Sequence, residues 1–264
     1  GPYAGPVVTE TAGRFALGPL WEVSASTHQW GDLGAHLPPG PARALAAHER
    51  VLRGEDLSGD DSIDPFVLEL PLRLEAWEPA YPVATYRSSE AEFPSPPPAS
   101  LGPVTLPAPG AERSDPLAVE ALRDLAAPWS EQSNGTVGAC AVAGTAEEAI
   151  SALTEETVAL TDVEPAAAIA HVAWAGASGG AYGRRRGSPM GRFAAWWLVA
   201  ALADVEWPPE PGEIGEAAAS MRWLMWSPAS VTHGWSACIA VERGDDAWAL
   251  YAVDDHREED ALSD

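Results

Sequence analysis

The chain has 264 residues, 46% of them hydrophobic, which excludes general disorder and suffices for one large domain or two small ones. Its fifteen basic residues, all arginine, face thirty-nine carboxylates, and the net charge of −24 repels nucleic acid and anionic membranes. No apolar run reaches the ~20 residues that span a bilayer.

Residues 3–93 form an irregular amino-terminal region with one helix and one edge strand. Up to residue 40, Gly, Pro and aromatic residues occur without a sustained period. Gly40 and Pro41 open a helix that runs to about Arg53 and stops at Gly54. Leu45, His48 and Leu52 should face inward, and Arg43, Glu49, Arg50 and Arg53 outward. His28, His36 and His48, even with Asp32, match no metal-ligand spacing, so no metal or other cofactor is expected. Glu55 to Asp64 holds five carboxylates in ten residues without the ligand spacing of a calcium loop, and reads as solvated. Leu68 to Ala76 alternates apolar and polar residues, and Pro71 restricts it to a sheet edge or an extended segment.

Residues 94–116 contain eight prolines, too few backbone donors for a helix or an inner strand. They are expected to be a linker or surface crossing without regular structure, and the domain boundary.

Residues 117–264 read as an α+β domain, a carboxy-terminal antiparallel sheet packed with helices. Asp115-Pro116 starts a helix with Leu117, Ala121, Leu122 and Leu125. Thr136 to Ala143 is a buried strand. Thr145 to Glu148 and Thr161 to Glu164 both match the capping box, the second opening a helix over Pro165 to Ala175. His171 and Trp174 lie near its end among small residues that suit close helix packing. Ser188 as cap and Pro189 at the first helical position open a helix over Met190 to Leu202. Strands follow at Met221 to Trp226, Trp235 to Glu242 and Ala247 to Asp254, the last two joined by the hairpin turn Arg243-Gly244-Asp245-Asp246. The acidic tail to Asp264 should fray.

The glycine-rich stretch Gly179 to Arg192 carries four of the fifteen arginines. Free N–H groups at a helix start bear partial positive charge, and Arg184, Arg185, Arg186 and Arg192 add full charges. With Tyr182, Gly187 and Ser188 they form a candidate site for an anionic small-molecule group. The competing reading pairs these arginines with the chain's own carboxylates. Together with the later Trp-rich and Trp-Ala-Leu strands, this stretch resembles an uncharacterised domain family of high-GC actinobacteria, a resemblance that implies no activity.

Catalytic candidates are sparse. Asp254-Asp255-His256 ends the last strand, where a carboxylate beside His would raise its pKa toward neutrality. His171 is a second base, and Cys238 a nucleophile only if a His reaches it. Cys140 and Cys238 sit in similar apolar settings, which suits buried thiols and a cytoplasmic location. The leading expectation is a ligand-binding or accessory protein. An acidic, immunity-type interaction protein with a basic partner comes second, and an enzyme using His256 or His171 third.

Overall fold

The computed structural model describes residues 18–87, 91–155, 157–231 and 233–255. The acidic tail and the first residues of the amino-terminal region lie outside them. That region holds more helix than its composition suggests: α1 (Leu20–Thr27), α2 (Trp30–Leu33), a 3-10 turn (Gly34–His36) and α3 (Pro41–Leu52). The acidic loop anchors α2, because Glu55 accepts from the Trp30 backbone N–H at 3.1 Å and Asp60 from the Trp30 indole at 2.6 Å. Leu20, Ala25, Leu33, Ala44, Ala47 and Val51 make a core of their own. On α3, Leu52 and His48 are buried as expected, but Glu49 is fully buried as well.

The alternation over Leu68 to Ala76 is real, since Leu68 and Leu70 are buried, yet no strand forms. The carbonyls of Pro71 and Arg73 accept instead from the Arg192 guanidinium, each at 2.8 Å. A side chain takes the place of a neighbouring strand. Beyond it, β1 (Thr85–Tyr86) and β2 (Ala91–Glu92) pair antiparallel.

The proline-rich stretch is not wholly irregular. It contributes β3 (Gly102–Val104) and β4 (Ala111–Glu112), one at each edge of the main sheet, where a proline such as Pro103 is tolerated. Next come α4 (Pro116–Glu131), capped by Asp115 accepting from Ala118 N at 3.2 Å, and β5 (Thr136–Ala143). The capping box at Thr145 is complete and opens α5 (Ala146–Ser151). The second box is not one. Thr161 to Val163 belong to β6 (Val158–Val163), and α6 (Pro165–Ser178) begins after Glu164 without a side-chain cap. The chain continues through α7 (Ser188–Ala203), α8 (Pro211–Ser220), β7 (Arg222–Pro228), β8 (Trp235–Ser236), β9 (Ile239–Arg243) and β10 (Asp246–Asp254).

Among the described residues eight strands form one antiparallel sheet, ordered β3-β6-β7-β9-β10-β5-β4, with β8 also on β10. The period of two sorts β10. Trp248, Leu250 and Ala252 join the core under α4, α6 and α7, whereas Ala247, Ala249 and Val253 join that under α5. Leu52, Leu68, Leu70 and Tyr81 enter the larger core too, so the amino-terminal region shares it with the sheet. No helix among the described residues is long and apolar enough to cross a membrane.

One irregularity matters later. β7 pairs with β9 from Arg222↔Glu242 to Met225↔Ile239, and Trp226 N–H donates to the Cys238 carbonyl at 3.1 Å. Past that point β8 pairs with Val253 and Asp254 of β10, and among the described residues β7 stays bonded to β6 alone. The sheet opens there.

Helices α6 and α7 cross closely at Gly191, where a β-carbon would collide with the Ala173 carbonyl. Gly191→Ala should therefore cost about 1–3 kcal/mol by overpacking, read as a lower thermal midpoint. Gly212→Ala, on α8 with open space around it, should leave the midpoint unchanged or raise it. Equal midpoints for Gly191→Ala and wild type would show that the helices separate freely.

Candidate functional site

The arginine loop joins α6 to α7, and both of its ends are fastened by carboxylates of the chain. Asp254, fully buried, accepts from Ala181 N at 2.5 Å through Oδ2 and from Ser133 Oγ at 3.0 Å through Oδ1. Tyr182, largely exposed, donates its hydroxyl to Asp255 at 2.8 Å. Two separate sequence candidates thus meet, and Asp254 serves to shape the loop. His256 lies outside the described residues.

At the other end the helix start attracts an anion, and that anion is Glu22. Its Oε1 accepts from Arg185 Nη2 at 2.6 Å and from the backbone N–H and hydroxyl of Ser188, both at 3.1 Å. Its Oε2 accepts from the Tyr86 hydroxyl at 2.6 Å, and burial together with the Glu22 charge raises the Tyr86 pKa. Ser188 is the first helical residue, and the cap position falls on Gly187 at φ +96, where the Trp21 ring leaves no room for a β-carbon. The Arg185 guanidinium also lies 3.6 Å from the centre of the Phe93 ring. Arg186 is half-buried with Nη1 3.4 Å from the Asp124 carbonyl, and Arg184 is exposed.

Arg192 is fully buried. It binds both oxygens of buried Glu78, through Nη2 at 2.6 Å and Nε at 2.8 Å. Trp196 and Tyr81 complete the Glu78 carboxylate at 2.9 and 2.7 Å. Burial opposes ionisation of Glu78, but the bonds and charge of Arg192 hold its pKa below the ordinary value. Nearby, burial and the Glu22 charge push Glu49 up to about 8, against its pairing with Arg53, and Glu49 Oε2 has no partner. His48 falls to about 3 through burial and the Arg192 charge. Among the described residues no three His, Cys, Asp or Glu side chains converge as a metal site.

A different site appears where the sheet opens. Two adjoining cavities of about 420 and 200 Å³ share His171, Ser236 and Pro98. Residues 93–101 line one side, and Trp174, Trp235 and Trp226 supply aromatic walls. Trp174 and Trp235 lie 5.3 Å apart, and His171 and Trp174 5.5 Å apart. His171 Nε2 is 3.2 Å from the Ser236 carbonyl, an acceptor only, so Nε2 carries the proton and Nδ1 is the ring's free acceptor. Burial lowers its pKa to about 4. Cys238 lines the smaller cavity, but burial raises its thiol to about 11, and its contacts are Ser236 Oγ and the Ala252 carbonyl. A buried neutral thiol with those contacts is not an activated nucleophile.

The sequence reading named His171 and Cys238 as candidates and Trp174 as their packing neighbour on the helix, but it did not join them into a cleft, and it missed Glu22 and Glu78. The indole groups of Trp174 and Trp226 are buried, and neither Nε1 has an acceptor among the described residues.

Removing one partner of the Arg192–Glu78 pair should be far worse than removing both. Arg192→Ala strands a buried carboxylate and should cost about 3–5 kcal/mol in chemical denaturation, with Arg192→Met/Glu78→Leu closer to wild type. A mild Arg192→Ala would show that Glu78 finds water. The pH dependence has a definite sign. A folded-state pKa of about 8 for Glu49, against 4.5 when unfolded, means the native state holds the extra proton. Its stabilisation is full below pH 4.5 and is lost as pH rises through 8. Glu78 acts oppositely, below pH 4.5. Glu49→Gln should thus flatten the fall in stability between pH 4.5 and 8, and an unchanged slope would assign that fall to other groups.

Neither a curated protein nor a solved structure matches the chain. A family model does, over residues 4–255, and the fold and loop described above lie within that match. The chain belongs to a family of unknown function, DUF6183.

Proposed function

We propose that the protein is a ligand-binding or accessory protein whose site is the cleft between residues 93–101 and the opened strands. The observation that carries this is the pair of adjoining cavities, of about 420 and 200 Å³, that share His171 and Ser236 and are walled by Trp174, Trp235 and Trp226. The larger cavity falls in the usual size range of small-molecule sites, and its lining is mostly aromatic and apolar.

The arginine loop is the weaker candidate on physical grounds. Glu22 already holds Ser188 and the Nη2 of Arg185, and Glu78 holds Arg192, so an external anion there meets a carboxylate tethered to the same chain, although Arg185 Nε and Nη1 have no partner among the described residues. The free thiols of Cys140 and Cys238 suit a cytoplasmic setting. A second reading, an acidic interaction protein with a basic partner, is favoured by Arg222, which alone holds Glu147, Asp162 and Glu242. With arginines consumed internally, unpaired carboxylates dominate the surface charge. Salt-sensitive capture of a basic protein, in native mass spectrometry, would support it.

The cleft is tested by screening a fragment set of mixed charge while following the indole N–H resonances. Hits should move those of Trp174, Trp226 and Trp235, and Ser236→Phe, which fills the shared wall, should weaken them at least about tenfold. Hits that move only the backbone of residues 179–192, or that bind Ser236→Phe equally well, would refute the cleft.

A further inference from the structure

Resting on the cleft as the binding site, we infer that its ligand is an uncharged, largely apolar molecule that donates one hydrogen bond to Nδ1 of His171. The two cavities share His171, Ser236 and Pro98, so this imidazole stands at their junction, where a ligand filling either one meets it. Its Nε2 is spent on the Ser236 carbonyl at 3.2 Å, and the ring lies against Trp174, with centroids 5.5 Å apart. The imidazole therefore cannot turn to suit a ligand, as the hydroxyls of Ser95, Ser227 and Ser236 can. Nδ1 has no partner among the described residues, yet it is not sealed in the protein as the Nδ1 of His48 is. The space that His171 borders is the cleft, and a lone pair held there in one direction selects a donor.

The lining sets the charge of the ligand. Neither cavity is bordered by an Arg, Asp or Glu side chain. An anion finds no counter-charge there and enters against a net charge of −24. A cation gains from that charge and from the tryptophan faces, but it leaves water for a pocket without a carboxylate. His171 and Cys238, the two titratable groups of the lining, are both uncharged at neutral pH, since burial lowers the first to about 4 and raises the second to about 11. Pro98, Leu101, Met225 and the tryptophans supply apolar surface that favours a hydrocarbon body. An alcohol, a phenol or a secondary amide on an uncharged skeleton meets both conditions.

Four probes built on one ring separate the alternatives: cyclohexanol, which has a donor; cyclohexanone, which has an acceptor only; cyclohexylammonium; and cyclohexanecarboxylate. Cyclohexanol should move the His171 Nδ1 nitrogen resonance upfield, as happens when an unprotonated imidazole nitrogen accepts a hydrogen bond. It should bind about threefold to tenfold more tightly than cyclohexanone, the usual worth of one neutral hydrogen bond, and more tightly than either ion. His171→Phe, which keeps a ring and removes the acceptor, should bind alcohol and ketone equally. If that variant folds poorly, the wild-type resonance and the wild-type ratio still decide. Cyclohexanone binding as tightly as cyclohexanol, with Nδ1 unmoved, would overturn the donor. Either ion binding as tightly as the alcohol would overturn the uncharged class. Silence of His171 toward all four probes would overturn the ligand class as a whole, while mixed-charge fragments that still bind there would keep the cleft as a site. If those fragments were silent too, the site itself would fall.

Discussion

The Glu22 carboxylate, seated against Arg185 and the start of α7, is the contact on which the arrangement of the amino-terminal region depends. A charge taken wholly out of water is tolerated only with its partners in place. Three such carboxylates, Glu22, Glu78 and Asp254, come from distant parts of the chain, and each is satisfied by groups within or beside residues 178–192. The glycine-rich loop is therefore a receptor for its own chain. It gathers the first helix, the segment around Glu78 and the end of the last strand around one helix start.

The cleft is a by-product of sheet geometry. β8 follows β10 while β7 follows β6, and the seam between them is filled by α6 side chains and by the proline-rich crossing rather than by backbone hydrogen bonds. That crossing is held at one end by β3 pairing with β6, and at the other by Phe93 under the Arg185 guanidinium. Arg185 consequently links the two regions: its charge faces Glu22 and its plane faces the cleft wall.

Local signals were legible where a few adjacent residues decide the outcome. Asp115 before Pro116, the alternation of β10, the Gly244-Asp245 turn and the capping box at Thr145 all formed as the sequence implies. The same Thr-x-x-Glu pattern at Thr161 gave a strand, because pairing with Trp223 to Met225 competes with capping and lies sixty residues away in sequence. The pull of the α7 start on an anion was legible too, but not that the anion is a glutamate on a helix whose sequence neighbourhood shows no clear period. The cleft was hidden for a related reason. A seam between strands cannot be recognised until the partner of every strand has been placed.

The separation in sequence between Glu22 and its partners, 163 residues to Arg185 and 166 to Ser188, bears on how the chain is made. Synthesis proceeds at roughly 5–20 residues per second, so Glu22 emerges many seconds before the groups that neutralise it. Over that interval α1 and α3 have their apolar faces but not the counter-charges that allow Glu22 and Glu78 to be buried. Those two positions must stay hydrated until α7 has left the ribosome.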